Sequence, residues 1–71
     1  MAIYRQLALC SRILSLRQRA GLTQVEVSER LCISQAAYSR FEKGEIEMSL
    51  TKLLELCDMY GVALASLVDG L

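Results

Sequence analysis

Apolar residues recur along this chain at the three- and four-residue spacing of helices that bury one face. One such face, early in the chain, is formed by Leu9, Ile13, Leu16 and Ala20. In the middle of the chain, Val27 and Leu31 form a second stripe, and Tyr38 and Phe41 a third. The spacing predicts five helices, at about residues 3–20, 24–31, 35–43, 50–60 and 63–69. We therefore expect an all-α fold, a compact five-helix bundle.

Capping residues mark the ends of these helices. Thr23, Ser34 and Ser49 each precede a predicted helix, where a hydroxyl can accept from the free amides of the first turn. Glu26 lies three residues after Thr23 and can complete a capping box with it. Gly44 ends the third helix, since glycine takes the left-handed conformation without a Cβ penalty.

The first helix carries more apolar residues than one buried face needs. A second stripe on the first helix contains Ile3, Leu7 and Leu14, with Cys10 between the two stripes. Either this helix is buried more deeply than usual, or the second stripe meets another subunit or a partner. On the fourth helix, the predicted buried face consists of Leu50, Leu53, Leu54, Cys57 and Tyr60.

Length and charge constrain the function. The 71 residues have room for one domain and carry a formal net charge of zero, which by itself argues against nucleic acid. The charges are unevenly distributed, however. Up to Lys43, seven basic residues stand against three acidic ones, and from Gly44 onward one basic residue stands against five acidic ones. This is either ordinary scatter or a polarised domain that presents a positive face to phosphates.

Composition also excludes several classes of protein. Three cysteines without a histidine rule out the common zinc arrangements, and we predict no metal or other cofactor. Cys10 and Cys57 are expected in the core. The sequence contains neither a glycine-rich phosphate loop nor paired carboxylates in an evident pocket, so we do not expect an enzyme. No apolar run could cross a bilayer and no secretory signal is present, so we expect a cytoplasmic protein.

The order of motifs in the first two thirds of the chain resembles the helix-turn-helix of the phage repressor and Cro-type family, often called XRE-like. The resemblance is carried by Leu16-Arg17, Gly21-Leu22-Thr23-Gln24, Ile33-Ser34-Gln35 and Tyr38-Ser39-Arg40-Phe41-Glu42-Lys43-Gly44. It extends over roughly residues 9–70. It implies a single lambda-repressor-like DNA-binding domain over residues 1–71, with the helix-turn-helix at about 23–43. The segment from Gln35 to Lys43 would be the recognition helix in the major groove.

The resemblance places a DNA-contacting set on this segment and just before it, namely Gln24, Ser34, Gln35, Ala36, Ser39, Arg40 and Lys43. Glutamines at the positions of Gln24 and Gln35 hydrogen-bond to each other in the family. One of them also touches a phosphate, and the other reaches an adenine. Arg40 is the candidate base reader, because a guanidinium can donate two parallel hydrogen bonds to guanine. Lys43 and Ser34 are better placed for phosphates.

Three features need separate interpretation. Arg17 and Glu42 match a family ion pair that ties the recognition helix to the first helix, and we expect it to be structural. Cys32 stands where the family usually has glycine with positive φ, so either the turn tolerates it or its thiol is exposed and redox-sensitive. Glu45 and Glu47 are unfavourable beside phosphates. Either their loop points away from the duplex, or nonspecific affinity is low.

These features predict a sequence-specific DNA-binding transcriptional regulator, a repressor or controller that binds a palindromic operator as a homodimer. The resemblance further implies a protein of a bacterium or phage, associated with the nucleoid, and similar to short phage repressors and restriction–modification controller proteins. The resemblance places dimer contacts in the C-terminal segment, where the candidates are Leu64, Leu67, Val68 and Leu71. Glu26 and Glu29 either face solvent or contact RNA polymerase. The alternative function is a protein-interaction module that keeps the fold without specific DNA binding.

Overall fold

The computed structural model describes the backbone of residues 2–71 and the side chains of residues 5–71. All regular structure in this range is helical. The elements are α1 (Ala2–Arg19), α2 (Gln24–Arg30), α3 (Gln35–Glu42), α4 (Leu50–Tyr60) and α5 (Leu64–Val68). The predicted all-α fold is therefore confirmed, and every helix begins and ends within one residue of its predicted bounds.

The helices of the central segment begin at the predicted caps. The Thr23 hydroxyl accepts from the Glu26 amide at 3.1 Å, and the Glu26 carboxylate accepts from the Thr23 amide at 3.1 Å, which completes the capping box. The Ser34 hydroxyl accepts from the Ala37 amide at 3.0 Å. Ser49 caps α4 in the same way. Because α2 and α3 are only seven and eight residues long, these caps satisfy much of their exposed backbone.

The C-terminus of α3 closes in a tight left-handed turn at Gly44, whose φ is +78°. The Gly44 amide donates to the Phe41 carbonyl and the Glu45 amide to the Arg40 carbonyl, both at 2.9 Å. These two hydrogen bonds form a Schellman motif. A Cβ on Gly44 would also lie 2.6 Å from the Cδ2 methyl of Leu7, so that exposed side chain would have to shift. The turn therefore holds Glu45 close to the last turn of α3.

The turn between α2 and α3 has the same geometry but carries a cysteine at the left-handed position. Cys32 has a φ of +57° and its side chain is exposed. The amides of Cys32 and Ile33 donate back to the carbonyls of Glu29 and Ser28 at 3.1 and 3.0 Å. A side chain in this conformation costs about 1 kcal/mol relative to glycine. The turn accommodates Cys32 at that cost because both hydrogen bonds are made.

The core draws on all five helices and on the residue that ends α2. Helix α1 packs against α3 and α5, α2 packs against α3, and α4 packs against α5. The buried apolar side chains are Cys10, Ile13, Val27, Leu31, Tyr38, Phe41, Leu56, Cys57 and Leu67. This arrangement leaves the side of α3 opposite Tyr38 and Phe41 uncovered.

The predicted orientation of α4 is wrong for two leucines. Leu50 is 60% exposed and Leu54 is 48% exposed, whereas Leu56 is buried with 1% exposure. The helix presents its Leu53, Leu56 and Cys57 side to the other helices, which is one step around from the predicted face. The leucines of α4 spread over nearly half of its circumference, so periodicity alone did not identify the buried one.

The second stripe of α1 is divided between the core and the surface. Cys10 is buried with 2% exposure, Leu14 is half-buried and Leu7 is 45% exposed. Ile3 lies outside the residues whose side chains are described. Ala20, predicted on the core face, lies beyond the end of α1 and is exposed. Deeper burial therefore explains Cys10, while Leu7 remains an exposed apolar side chain.

Two leucines of α4 test this packing directly. We expect Leu56→Ala to lower the free energy of unfolding by about 2–5 kcal/mol, because it leaves a cavity in the core. Leu54→Ala is the matched control on the same helix, and it should change stability by no more than about 0.5 kcal/mol. Urea denaturation followed by far-ultraviolet circular dichroism measures both. Equal losses from the two substitutions would contradict the observed orientation of α4.

Candidate nucleic-acid interface

Helix α3 separates its residues into a buried and an exposed side. Tyr38 and Phe41 are in the core, whereas Gln35, Ala36 and Arg40 are exposed. The remaining predicted contacts of this segment are Ser34 and Lys43, which are exposed, and Ser39, which is half-buried. The structure thus brings six of the seven predicted contact residues together along one helix. They offer a donor-acceptor amide, a small apolar group and two cations to a ligand.

The N-terminus of α3 carries backbone amides that can donate hydrogen bonds. The first amides of a helix have no intrahelical acceptor, and the helix dipole makes this end attractive to anions. The Ser34 hydroxyl satisfies one such amide, that of Ala37, by accepting its hydrogen. The hydroxyl proton itself remains available as a donor. This end of the helix can therefore bind a phosphate oxygen.

Glu42, on the inner side of α3, is held by two other helices. Arg17 of α1 donates from Nε to Oε2 at 2.6 Å and from Nη2 to Oε1 at 3.1 Å. Gln24 of α2 donates from Nε2 to Oε1 at 3.0 Å. Arg17 also donates from Nη1 to the Leu22 carbonyl at 2.9 Å in the turn between α1 and α2. One carboxylate thus joins α1, α2 and α3.

The surroundings of this ion pair shift the pKa of both partners. Burial alone would raise the pKa of Glu42, but hydrogen bonds from Arg17 and Gln24 outweigh it, and the pKa falls below its ordinary value. The hydrogen bond to Glu42 raises the pKa of Arg17. The side chains of Arg17 and Glu42 are only 15% and 4% exposed. The pair is therefore ionised and largely shielded from solvent.

The expected contact between the two glutamines is replaced by another. Gln24 donates its side-chain amide to Glu42, and no described hydrogen bond joins it to Gln35. The physical reason is that an ionised carboxylate is a stronger acceptor than a neutral amide, and the buried lone pairs of Glu42 need donors. Gln24 is half-buried, whereas Gln35 is exposed. The two glutamines of the predicted DNA-contacting set are therefore not equally accessible to a ligand.

The acidic loop after α3 does not point away from the recognition surface. The Glu45 carboxylate lies 3.5 Å from Nε of Arg40, with side-chain exposures of 53% and 60% respectively. The interpretation that the loop points away is therefore not supported for Glu45. The sequence offered one signal for the pairing, because the Schellman turn at Gly44 places the residue after it beside the last turn of α3.

Some of the basic residues counted toward a positive face have other partners. Arg12 donates from Nη1 to the Leu67 carbonyl at 2.9 Å and also to the Asp69 carbonyl, both at the end of α5. A cation there complements the C-terminal end of a helix dipole. Arg17 is engaged with Glu42. The positive charge available to a polyanion is therefore smaller than the sequence suggested.

The predicted dimer contacts divide in a similar way. Leu67 is 5% exposed and belongs to the core, so little of its side chain is available for the predicted dimer contact. Val68 is 39% exposed, and Leu64 and Leu71 are half-buried. Leu67 faces inward because its side of α5 packs against α1 and α4.

Among the side chains of residues 5–71, no group of three or more histidine, cysteine or acidic residues is arranged to hold a metal ion. None of the described helices combines the length and the apolar character that crossing a membrane requires.

Comparison with known proteins places these features in context. Residues 9–69 match the family described as a helix-turn-helix domain. The HTH-type transcriptional regulator DdrOP3 of Deinococcus deserti is 34% identical to this chain over 62 residues. The aligned region covers 87% of this chain and 48% of that protein, so the chain spans about half the length of this relative. No solved structure matches the chain.

Substitution of the buried carboxylate tests the anchor. We expect Glu42→Gln to lower the free energy of unfolding by about 3–5 kcal/mol at pH 7, because it strands the Arg17 charge. The folded-state pKa of Glu42 is depressed, so its stabilisation is present above the ordinary value of 4.5 and is lost as pH falls through the folded-state pKa. The gap between wild type and variant should therefore narrow on acidification, as measured by urea denaturation.

Glu29→Gln is the matched control, since Glu29 is exposed on α2 and should contribute about 0.5 kcal/mol or less. If Glu42→Gln does not fold, Arg17→Lys keeps the charge while removing the two-pronged contact and serves the same measurement. A gap that stays constant from neutral to acidic pH would show that the Glu42 charge does not stabilise the fold.

Proposed function

Because the chain belongs to the helix-turn-helix domain family, we propose that it binds duplex DNA sequence-specifically and regulates transcription. The observation that carries this proposal is the exposure of Gln35, Ala36 and Arg40 on one side of α3. Tyr38 and Phe41 hold the opposite side in the core. That a relative is named a transcriptional regulator supports the same conclusion.

Base reading falls to the exposed side chains of α3. Two parallel hydrogen bonds from Arg40 can be accepted by O6 and N7 of guanine, which no other base pair offers at that position. The Gln35 amide can both donate to and accept from adenine. Ala36 can pack against a thymine methyl. Each contact depends on direction and shape, so together they discriminate between sequences.

Phosphate contacts would set the position of α3 without reading sequence. Lys43 lies at the C-terminal end of α3 and Ser34 at its N-terminal end, so the two could reach different phosphates. The free amides at the start of α3 add a donor surface beside Ser34. Contacts at both ends would fix the angle at which α3 enters the major groove.

The ion pair of Arg17 and Glu42 gives this interface its rigidity. Since Glu42 is also bonded to Gln24, the orientation of α3 relative to α1 and α2 is set before DNA arrives. A prearranged interface loses less conformational entropy on binding than a mobile one. We assign Arg17 and Glu42 a structural role.

We propose further that residues 1–71 act as a single domain that binds a palindromic operator as a symmetric dimer. One module of this size buries too little surface for high specificity at physiological salt. Leu54 and Leu64 line one surface groove, and Val68 and Leu71 line another with Leu53. These apolar side chains of α4 and α5 suit a contact between copies, with half-sites about one helical turn apart.

A contact with RNA polymerase through α2 remains a prediction. Glu26 and Glu29 are both exposed, but Glu26 is already engaged with Thr23 in the capping box. The sign of regulation would follow from the position of the operator.

Selection of bound duplexes from a random pool, followed by measured affinities, tests the DNA proposal. We expect an enriched sequence with twofold symmetry. On that sequence, Arg40→Ala should cost about 1–3 kcal/mol and relax preference at one base pair. Lys43→Ala should weaken all sequences alike and reduce the salt slope by about one.

The two variants control for each other, because both remove one exposed cation from α3 or its cap. Equal losses from Arg40→Ala on selected and random DNA would refute its base-reading role. A pool without enrichment would instead favour a protein-interaction module with the same fold.

Sedimentation of two valine variants tests the dimer. Val68→Glu places a charge among the apolar side chains of α5 and should yield a monomer. Val25→Glu is the matched control, since Val25 is 42% exposed on α2 and Val68 is 39% exposed. A wild type that is already monomeric at micromolar concentration would contradict the dimer. An unchanged dimer mass for Val68→Glu would move the interface, with Leu7 of α1 as the next candidate.

A further inference from the structure

We propose that Glu45 determines the sequence specificity of the DNA interface by neutralising Arg40 toward phosphates while leaving its guanidinium able to read a base. The inference rests on the proposed function and assigns a role to a residue outside the predicted contact set. It is carried by the pairing of the two side chains and by the way the backbone holds Glu45 in place.

The geometry of the pair leaves one edge of the guanidinium accessible. The closest approach is between Nε of Arg40 and Oε2 of Glu45, at 3.5 Å. Among the described side-chain hydrogen bonds, none uses the terminal nitrogens of Arg40. These terminal nitrogens are a pair of donors able to contact O6 and N7 of guanine. Glu45 therefore approaches Arg40 from the side and leaves the end of its guanidinium for a base.

The position of Glu45 is fixed by contacts on both sides of it. Its own amide donates to the Arg40 carbonyl at 2.9 Å. The Gln6 side chain donates to the Gly44 carbonyl at 3.2 Å and to the Ile46 carbonyl at 3.1 Å, and these two residues flank Glu45. Helix α1 thus clamps the loop, and the backbone of Glu45 cannot move away from α3 without breaking these bonds. Gln6 is a positioning residue in this arrangement.

The electrostatic consequence differs between random and preferred DNA. Nonspecific binding comes almost entirely from cations near phosphates. A paired Arg40 adds little to it, and Glu45 repels any phosphate within the screening length of about 8–10 Å. On the preferred sequence, Arg40 contacts guanine instead, while Glu45 remains beside Nε. Because the exposed pair is weak, it does not prevent that directional contact. Glu45 therefore lowers affinity for random DNA more than for the preferred site.

The experiment compares two loop variants with identical charge changes. Dissociation constants are measured for the selected duplex and a random duplex over a range of salt concentrations. We expect Glu45→Gln to tighten binding to random DNA about two- to five-fold, as the loss of an exposed ion pair allows. Its salt slope on random DNA should steepen by nearly one. Affinity for the selected duplex should change less than two-fold, so the specificity ratio falls.

Glu47→Gln is the matched control, because Glu47 lies in the same loop and no ion pair is described for it. Glu47→Gln should change the affinities for the selected and the random duplex by the same factor. A selective effect of Glu45→Gln should also disappear in an Arg40→Ala background. Thermal unfolding of each variant verifies that the fold is unchanged.

Two results would overturn the inference while leaving the proposed function intact. The first is that Glu45→Gln, like Glu47→Gln, changes the affinities for the selected and the random duplex by the same factor, which would indicate a general charge effect. The second is a selective effect that persists without Arg40. A wild type that enriches no sequence from the pool would overturn the proposed function itself, and this inference with it.

Discussion

The ion pair between Glu42 and Arg17 is the constraint on which the rest of the structure depends. A carboxylate that is 4% exposed is tolerated only with charged or strong hydrogen-bonding partners, and here these come from α1 and α2. Meeting that requirement fixes the rotation of α3 about its axis. Once Glu42 points inward with Tyr38 and Phe41, the opposite side of the helix must face outward. The exposure of the base-reading candidates therefore follows from burial on the other side.

Short helices make this anchor necessary. Isolated helices of seven or eight residues are unstable in water, so α2 and α3 depend on tertiary contacts and on their caps. The capping box at Thr23 and the hydroxyl of Ser34 satisfy their first turns, and Schellman turns close their ends. The turn accommodates the left-handed conformation at Cys32 because the amides of Cys32 and Ile33 both find acceptors in α2. Local hydrogen bonds and one buried ion pair thus hold the segment together.

Much of this fold could be predicted from the sequence because its signals are local. Cap residues gave the helix bounds, and the spacing of Val27 and Leu31 gave the core side of α2. The orientation of α4 could not be predicted, because its leucines spread over nearly half of its circumference and tertiary packing, including that against α5, decides which of them are buried. The partner of Gln24 depended on a competition between two acceptors, Glu42 and Gln35, that are distant in sequence. Arg12 was counted as surface charge because its carbonyl partners at the end of α5 lie more than fifty residues away in sequence and could not be foreseen.

The use of charge in the fold explains how a neutral chain fits the proposed interface. Seven basic residues precede Gly44, but Arg12 and Arg17 serve the fold, and Arg40 has Glu45 beside it. Of the remaining basic residues, Lys43 lies at the end of α3, and Arg5, Arg19 and Arg30 are exposed on α1 and α2. Phosphate attraction is therefore limited to a few cations, since that term scales with the number of phosphates neutralised. Under the proposed function, affinity would come in larger part from directional contacts with bases and, in the proposed dimer, from a doubled interface. Both sources reward the correct sequence, whereas phosphate attraction rewards any duplex.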